Sequence, residues 1–149
     1  MTLKDRITED MKAAMRAKAA ARLSTIRLLL AAIKQREVDE RTTLSDTDIV
    51  AVIDKMIKQR KDSITQFVAG HRPDLADAER AELAILDAYL PPRMSEAEIG
   101  AAVDAAISSA RAAGATGPSL IGKVMAALKT DLAGRADMAQ VAATVKARL

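Results

Sequence analysis

At the head of three apolar-periodic stretches a hydroxyl residue is followed three positions later by an acid, at Thr2 and Asp5, Ser45 and Asp48, and Ser95 and Glu98. Each pair stands before a stretch whose apolar residues recur in steps of three and four. The hydroxyl can accept from an amide of the first helical turn while the acid reaches back to the cap, so two otherwise orphaned donors are satisfied together. Such punctuation serves helices and has no use in a strand, and it commits most of the chain to α-helix. Leu3, Ile7, Met11 and Ala14 or Met15 form the first stripe, running to about Lys18. Leu23, Ile26, Leu30, Ile33 and Glu37 carry the second, with Arg22, Arg27, Lys34 and Arg36 outside it.

The pattern continues beyond the polar link 41–44. Ile49, Val52, Ile53, Met56, Ile57, Ile64, Phe67 and Val68 predict a long third helix, ended by Gly70 in a left-handed conformation. Arg72-Pro73-Asp74 launches a fourth, facing inward with Leu75, Leu83, Leu86, Tyr89 and Leu90 until Pro91-Pro92 forbids continuation. Ile99, Val103, Ile107 and Ala110 give a fifth, stopped by Gly114. A sixth runs from about Pro118 to Leu132, and Asp137 caps a seventh that buries Val141, Val145 and Leu149. With one Phe, one Tyr and no Trp there is little material for an aromatic sheet core. The expected fold class is all-α, with a larger N-terminal helical domain over 1–92 and a small three-helix C-terminal domain over 93–149.

Cysteine is absent and histidine occurs once, at His71. Thiolate chemistry and disulfides are therefore excluded, an imidazole zinc site lacks partners, and neither a metal nor a cofactor is expected. A histidine just past a helix-ending glycine has the simpler role of meeting the last carbonyls. No apolar run of about eighteen residues occurs and the N-terminus alternates charges, so no membrane association and a cytoplasmic location are expected. The net charge of +3 is unevenly spread: residues 1–36 hold nine Lys or Arg against three acids, and residues 37–90 hold seven against twelve. Two helical layers attracting each other give the simpler account; a basic face turned toward a polyanion is the other.

Catalytic signals are weak. Asp5, Asp48 and Glu98 have a capping explanation, and Glu37, Asp39 and Glu40 fall where a helix gives way to a loop. Lys61 and Ser63 on one helix point in different directions. Gly117-Pro118-Ser119-Leu120-Ile121-Gly122-Lys123-Val124 has the rhythm of a phosphate loop but lacks the hydroxyl after lysine and a preceding strand. Glycine concentrates between Gly114 and Asp137, where four of the six in the chain accompany Lys123, Lys129 and Arg135. Amides at a helix start and lysines along it suit a phosphate backbone. Without aromatic residues to stack on unpaired bases, the shape and phosphates of a folded RNA fit better than single-strand readout. A well-capped structural turn is the alternative.

Several strings taken together resemble one family. Arg27-Leu28-Leu29 with Ala32-Ile33-Lys34, Glu37-Val38-Asp39, Lys58-Gln59-Arg60-Lys61-Asp62-Ser63-Ile64, Tyr89-Leu90-Pro91, and Gly122-Lys123-Val124-Met125 with Gly134-Arg135-Ala136-Asp137 are similar to the free-standing YqeY proteins of the GatB/YqeY family. The resemblance implies an all-helical protein whose C-terminal part is related to the tail of GatB. GatB is a subunit of the glutamine-dependent tRNA amidotransferase, a carbon-nitrogen ligase, and its tail helps hold the tRNA. The implied function is a non-catalytic tRNA-binding or accessory protein, with an amidotransferase or aminoacyl-tRNA synthetase as possible protein partner and no DNA expected. Lys123, Lys129 and Arg135 would touch phosphates, and Gly122 and Gly134 would let backbones approach. The competing expectation is a protein-interaction module without RNA binding; an independent amidase or ligase is a third.

Overall fold

The computed structural model describes residues 1–149 and contains seven helices and no strand: α1 Leu3–Arg16, α2 Ala20–Glu40, α3 Asp46–Ala69, α4 Pro73–Asp87, α5 Glu96–Ala112, α6 Gly117–Asp131 and α7 Met138–Arg148. The all-helical expectation is met. The chain divides into two compact units, Met1–Leu90 and Pro91–Leu149. All three capping boxes form as read: Thr2, Ser45 and Ser95 accept from the amides of Asp5, Asp48 and Glu98, whose carboxylates return to the cap. These contacts hold the carboxyls of Asp5 and Asp48 below the usual carboxylate range.

In the first unit Ile7, Ile26, Leu29, Ile33, Ile49, Ile53, Ile57 and Leu86 are wholly buried, joined by Leu44, Met56 and Tyr89. Each such aliphatic side chain contributes about 1.5–3 kcal/mol by leaving water. Isoleucine keeps one dominant χ1 rotamer in a helix, so the core is specified as well as apolar. The polar residue within it, Thr25, turns its hydroxyl to the Ala21 carbonyl at 3.2 Å.

Glu37 has a larger role than its place near a helix end suggested. Its carboxylate meets Lys4 Nζ at 2.7 Å and accepts the Leu44 N–H at 2.9 Å, tying α1 to α2 and clipping the link to α3. The Lys4 contact and then the Leu44 amide hold the Glu37 carboxyl below its ordinary value. Arg36 reaches Asp48 at 3.9 Å, and Arg6 lies over the Tyr89 ring at 5.0 Å. Part of the basic first segment thus pairs with the acidic second, as the two-layer account expected.

Four expectations need correction. Gly70 has φ −85° and is not left-handed; His71 is, at φ 57°. The His71 amide donates to Val68 and the Arg72 amide to Phe67, at 3.2 and 2.8 Å, so a Schellman turn closes α3 one residue later than the glycine suggested. Buried residues on α3 end at Ile57; Phe67 is only half-buried and Val68 is exposed, because the last turns extend past the core. On α2 the buried aliphatic residues are Ile26, Leu29 and Ile33, with Leu23 and Leu30 only partly covered. Leu149 lies beyond the last turn of α7 and is 42% exposed instead of buried.

The second unit packs Ile99, Val103 and Ile107 of α5 against Leu120, Val124 and Leu128 of α6 and Val141 and Val145 of α7. Gly100 is buried on α5 beneath the guanidinium of Arg148, and a Cβ there would come within 2.6 Å of it. Arg148 also meets Asp104 at 2.6 Å. No helix of the structure is long and apolar enough to cross a membrane.

Candidate nucleic-acid interface

The candidate surface begins where α5 stops. Gly114, at φ 87°, lets the chain reverse while its amide and that of Ala115 return to Arg111 and Ala110 at 2.9 and 3.0 Å. Ala115 is buried in the turn and Gly117, at φ 58°, opens α6 with Pro118 in the first turn. Thr116 makes no side-chain cap bond and no acid lies in that turn. The positive end of α6 therefore has no carboxylate of its own, unlike α1, α3 and α5.

Lys123 projects from α6 beside a shallow groove whose other walls include Ala102, Ala106 and Ser109 of α5 and Ala127 and Asp131 of α6. Lys129 is exposed and lies about 120° further round the helix at 100° per residue, on the same side as Gly122. Nothing lies within 4 Å of where a Gly122 side chain would begin. Gly122 consequently leaves the outer face of α6 open and carries no close approach within the chain. Gly134, at φ 72°, makes the turn after α6. Arg135 is half-buried; its amide donates to the Leu132 carbonyl at 3.0 Å and its own carbonyl accepts the Met94 N–H at 2.9 Å, so its backbone braces the segment before α5.

The five positions thus form one arc on α6 and the turn that follows it, with Lys123 on one flank, Gly122 and Lys129 on the outer face, and Gly134-Arg135 at the C-terminal end. None of the three cations pairs with a carboxylate of the chain, whereas Arg148 in the same unit is neutralised by Asp104. That pairing spans 44 residues and has no local signal. No group of three or more His, Cys, Asp or Glu is placed to hold a metal ion. Asp137 caps α7 through the Ala139 amide at 3.0 Å, and Asp5, Asp48 and Glu98 are engaged as caps. His71 is exposed at the α3–α4 turn and contributes main-chain bonds.

The fold and surface define a class: a two-unit, all-helical protein whose second unit carries unpaired cations on a short helix. Residues 4–149 match a family described as Yqey-like protein, and the chain belongs to that family. Among curated proteins it is similar to "Altered inheritance of mitochondria protein 41, mitochondrial" of Lachancea thermotolerans, 44% identical over 102 residues covering 65% of this chain and 54% of that one. The protein of the same name from Pyrenophora tritici-repentis is 31% identical over 126 residues, 83% of this chain and 70% of its own. The chain spans about half the length of most of the curated relatives it matches. These relatives are named as mitochondrial, which overturns the cytoplasmic expectation. That expectation rested on the lack of a long apolar run and on an N-terminus of alternating charge, and neither feature specifies a compartment.

Proposed function

We propose that the chain is a non-catalytic RNA-binding accessory protein whose second unit holds the phosphates of a folded RNA, with tRNA as the first ligand to test. The observation that supports this is the exposure of Lys123 and Lys129, with Arg135 beside them, free of internal carboxylates. Cations already neutralised within the fold release no counterions from a nucleic acid, whereas unpaired ones do. The uncapped start of α6 adds amides and a positive dipole end to the same region. The resemblance of the C-terminal strings to the tail of GatB favours tRNA as the polyanion, and an amidotransferase or synthetase as the protein partner. The names of the curated relatives point to a mitochondrial setting for this fold, so organellar tRNA belongs among the ligands.

Binding of labelled tRNA to the full chain, followed across salt concentrations, tests the reading. The slope of log affinity against log salt falls by about 0.7 to 0.9 for each phosphate contact removed. Lys123→Ala with Arg135→Ala is expected to lower the slope by about 1.4 to 1.8 and to weaken binding. A double variant that binds tRNA as tightly and with the same slope removes this surface from the function.

A further inference from the structure

Helix α2 leaves one face uncovered, and that face has a composition of its own. Residues 20–36 contain four bases and no carboxylate. Two of the bases are answered from within the unit: Arg22 faces Asp10 at 4.0 Å, and Arg36 pairs with Glu40 at 3.0 Å and Asp48 at 3.9 Å. Arg27 and Lys34 are exposed and have no ion pair. They stand seven residues apart, about 10 Å along the same side of the helix. Between and beside them lie exposed aliphatic groups, Leu28 at 49% and Val38 at 62%, with Ala31 in the centre. Leu28, Ala31, Gln35 and Val38 follow one another in steps of three and four, the spacing of a helix-docking seam. At its N-terminal end a depression of about 380 Å³ is lined by Ala20, Leu23, Ser24, Arg27 and Leu28.

We propose that this face of α2 docks an amphipathic α-helix of another protein, one that offers aliphatic residues to the seam and carboxylates to Arg27 and Lys34. The small residues Ser24 and Ala31 let a second helix approach closely, and Leu28 and Val38 supply the ridge it packs against. Charge complementarity selects the flanks of the partner. A second copy of the chain fits poorly: an antiparallel pair sets the Arg27–Lys34 flank against itself, and a parallel pair offers Asp39, whose carboxylate is already bonded to Gln35 at 2.9 Å. A nucleic acid fits poorly too, since it would press phosphates against Leu28 and Val38 and finds no aromatic ring to stack on. The proposal is independent of the RNA reading, which rests on residues of the other unit.

The test uses the full chain and two labelled synthetic peptides of three heptads, both with Leu at the seam positions, one flanked by Glu and the other by Lys. Fluorescence anisotropy is expected to show that the Glu-flanked peptide binds. Arg27→Glu with Lys34→Glu weakens that binding about tenfold, the sum of two exposed charge pairs reversed, and strengthens binding of the Lys-flanked peptide to a similar degree. Leu28→Asp removes binding of both. All three residues are exposed, and circular dichroism of each variant verifies the fold. Failure of the wild-type chain to bind the Glu-flanked peptide, or binding indifferent to the charge reversal, overturns the proposal. So does a fall in tRNA affinity on charge reversal without peptide binding, which would give the ridge to a polyanion.

Discussion

Replacing His71 by glycine is expected to stabilise the first unit, although it deletes a side chain and adds no contact. His71 occupies the left-handed region at φ 57°, where a Cβ crowds the following carbonyl. The strain costs an L-residue about 1–2 kcal/mol, and glycine escapes it. Glycine loses more freedom on folding, which returns about 0.4–1 kcal/mol of the gain. A net increase of about 0.5–1 kcal/mol remains, because both hydrogen bonds of the turn, from the amides of His71 and Arg72, are main-chain and survive the substitution. For a unit of this size that corresponds to a rise in Tm of about 2–8 °C.

Arg41 provides an internal comparison. It is left-handed at φ 51° and closes α2 by the same two-bond geometry, its amide on Val38 and that of Thr42 on Glu37. A cation at a helix C-terminus interacts favourably with the macrodipole by about 0.3–1 kcal/mol, so Arg41→Gly is expected to change little at low salt and to show a gain when salt screens the dipole. Urea denaturation at two ionic strengths measures both variants. If His71→Gly lowers stability, the left-handed strain is not the dominant energy in this turn and the reasoning fails.

Two further perturbations follow from single contacts. Tyr89 is 5% exposed and its hydroxyl donates to Asp10 at 2.5 Å; burial first, then Asp10, pushes the phenol well above its ordinary value of 10. The folded state therefore holds a proton that the unfolded state releases, so this contribution is full below pH 10 and is lost as pH rises beyond it. Tyr89→Phe is expected to cost about 1–2 kcal/mol at neutral pH and to flatten the alkaline fall, and phenolate absorbance from the sole tyrosine should appear together with unfolding. Gly100→Ala should displace the Arg148 guanidinium, the far end of a flexible side chain, from its place against Asp104. The helix gains about 1 kcal/mol of propensity and loses an exposed pair worth up to about 1 kcal/mol, so denaturation should show stability unchanged or slightly raised.

What could be read from sequence follows from the range of each signal. A capping box acts across three residues, and every one formed where it was read. At the close of α3 glycine is the stronger left-handed cue in the sequence, yet the backbone puts His71 in that conformation one residue later. Ala76 is wholly buried on α4, and a methyl group gives too weak an apolar signal to show this in the sequence. On α2 the run Leu28-Leu29-Leu30 points in three directions around the helix, so periodicity could not say which leucine turns inward. Leu29 does, and Leu28 is left in water, a choice made by α1, α3 and α4 packing from the other side.

Charge is the property that local reading resolves least, because an ion pair joins residues distant in sequence. Of the nine bases in residues 1–36, Lys4, Lys12, Arg22 and Arg36 meet carboxylates and Arg6 covers Tyr89. Part of that segment's positive charge is therefore answered within the unit, and Arg27 and Lys34 are two of the bases that are not. In the second unit Arg148 is paired with Asp104, whereas Lys123, Lys129 and Arg135 have no carboxylate partner. These two sets of cations have different neighbours, aliphatic side chains on α2 and a glycine-opened helix with an uncapped start on α6. A charge reversal on α2 and an alanine pair at Lys123 and Arg135, each assayed against both peptide and tRNA, separates them: a helix-docking ridge loses only the peptide, and a phosphate surface loses only the RNA.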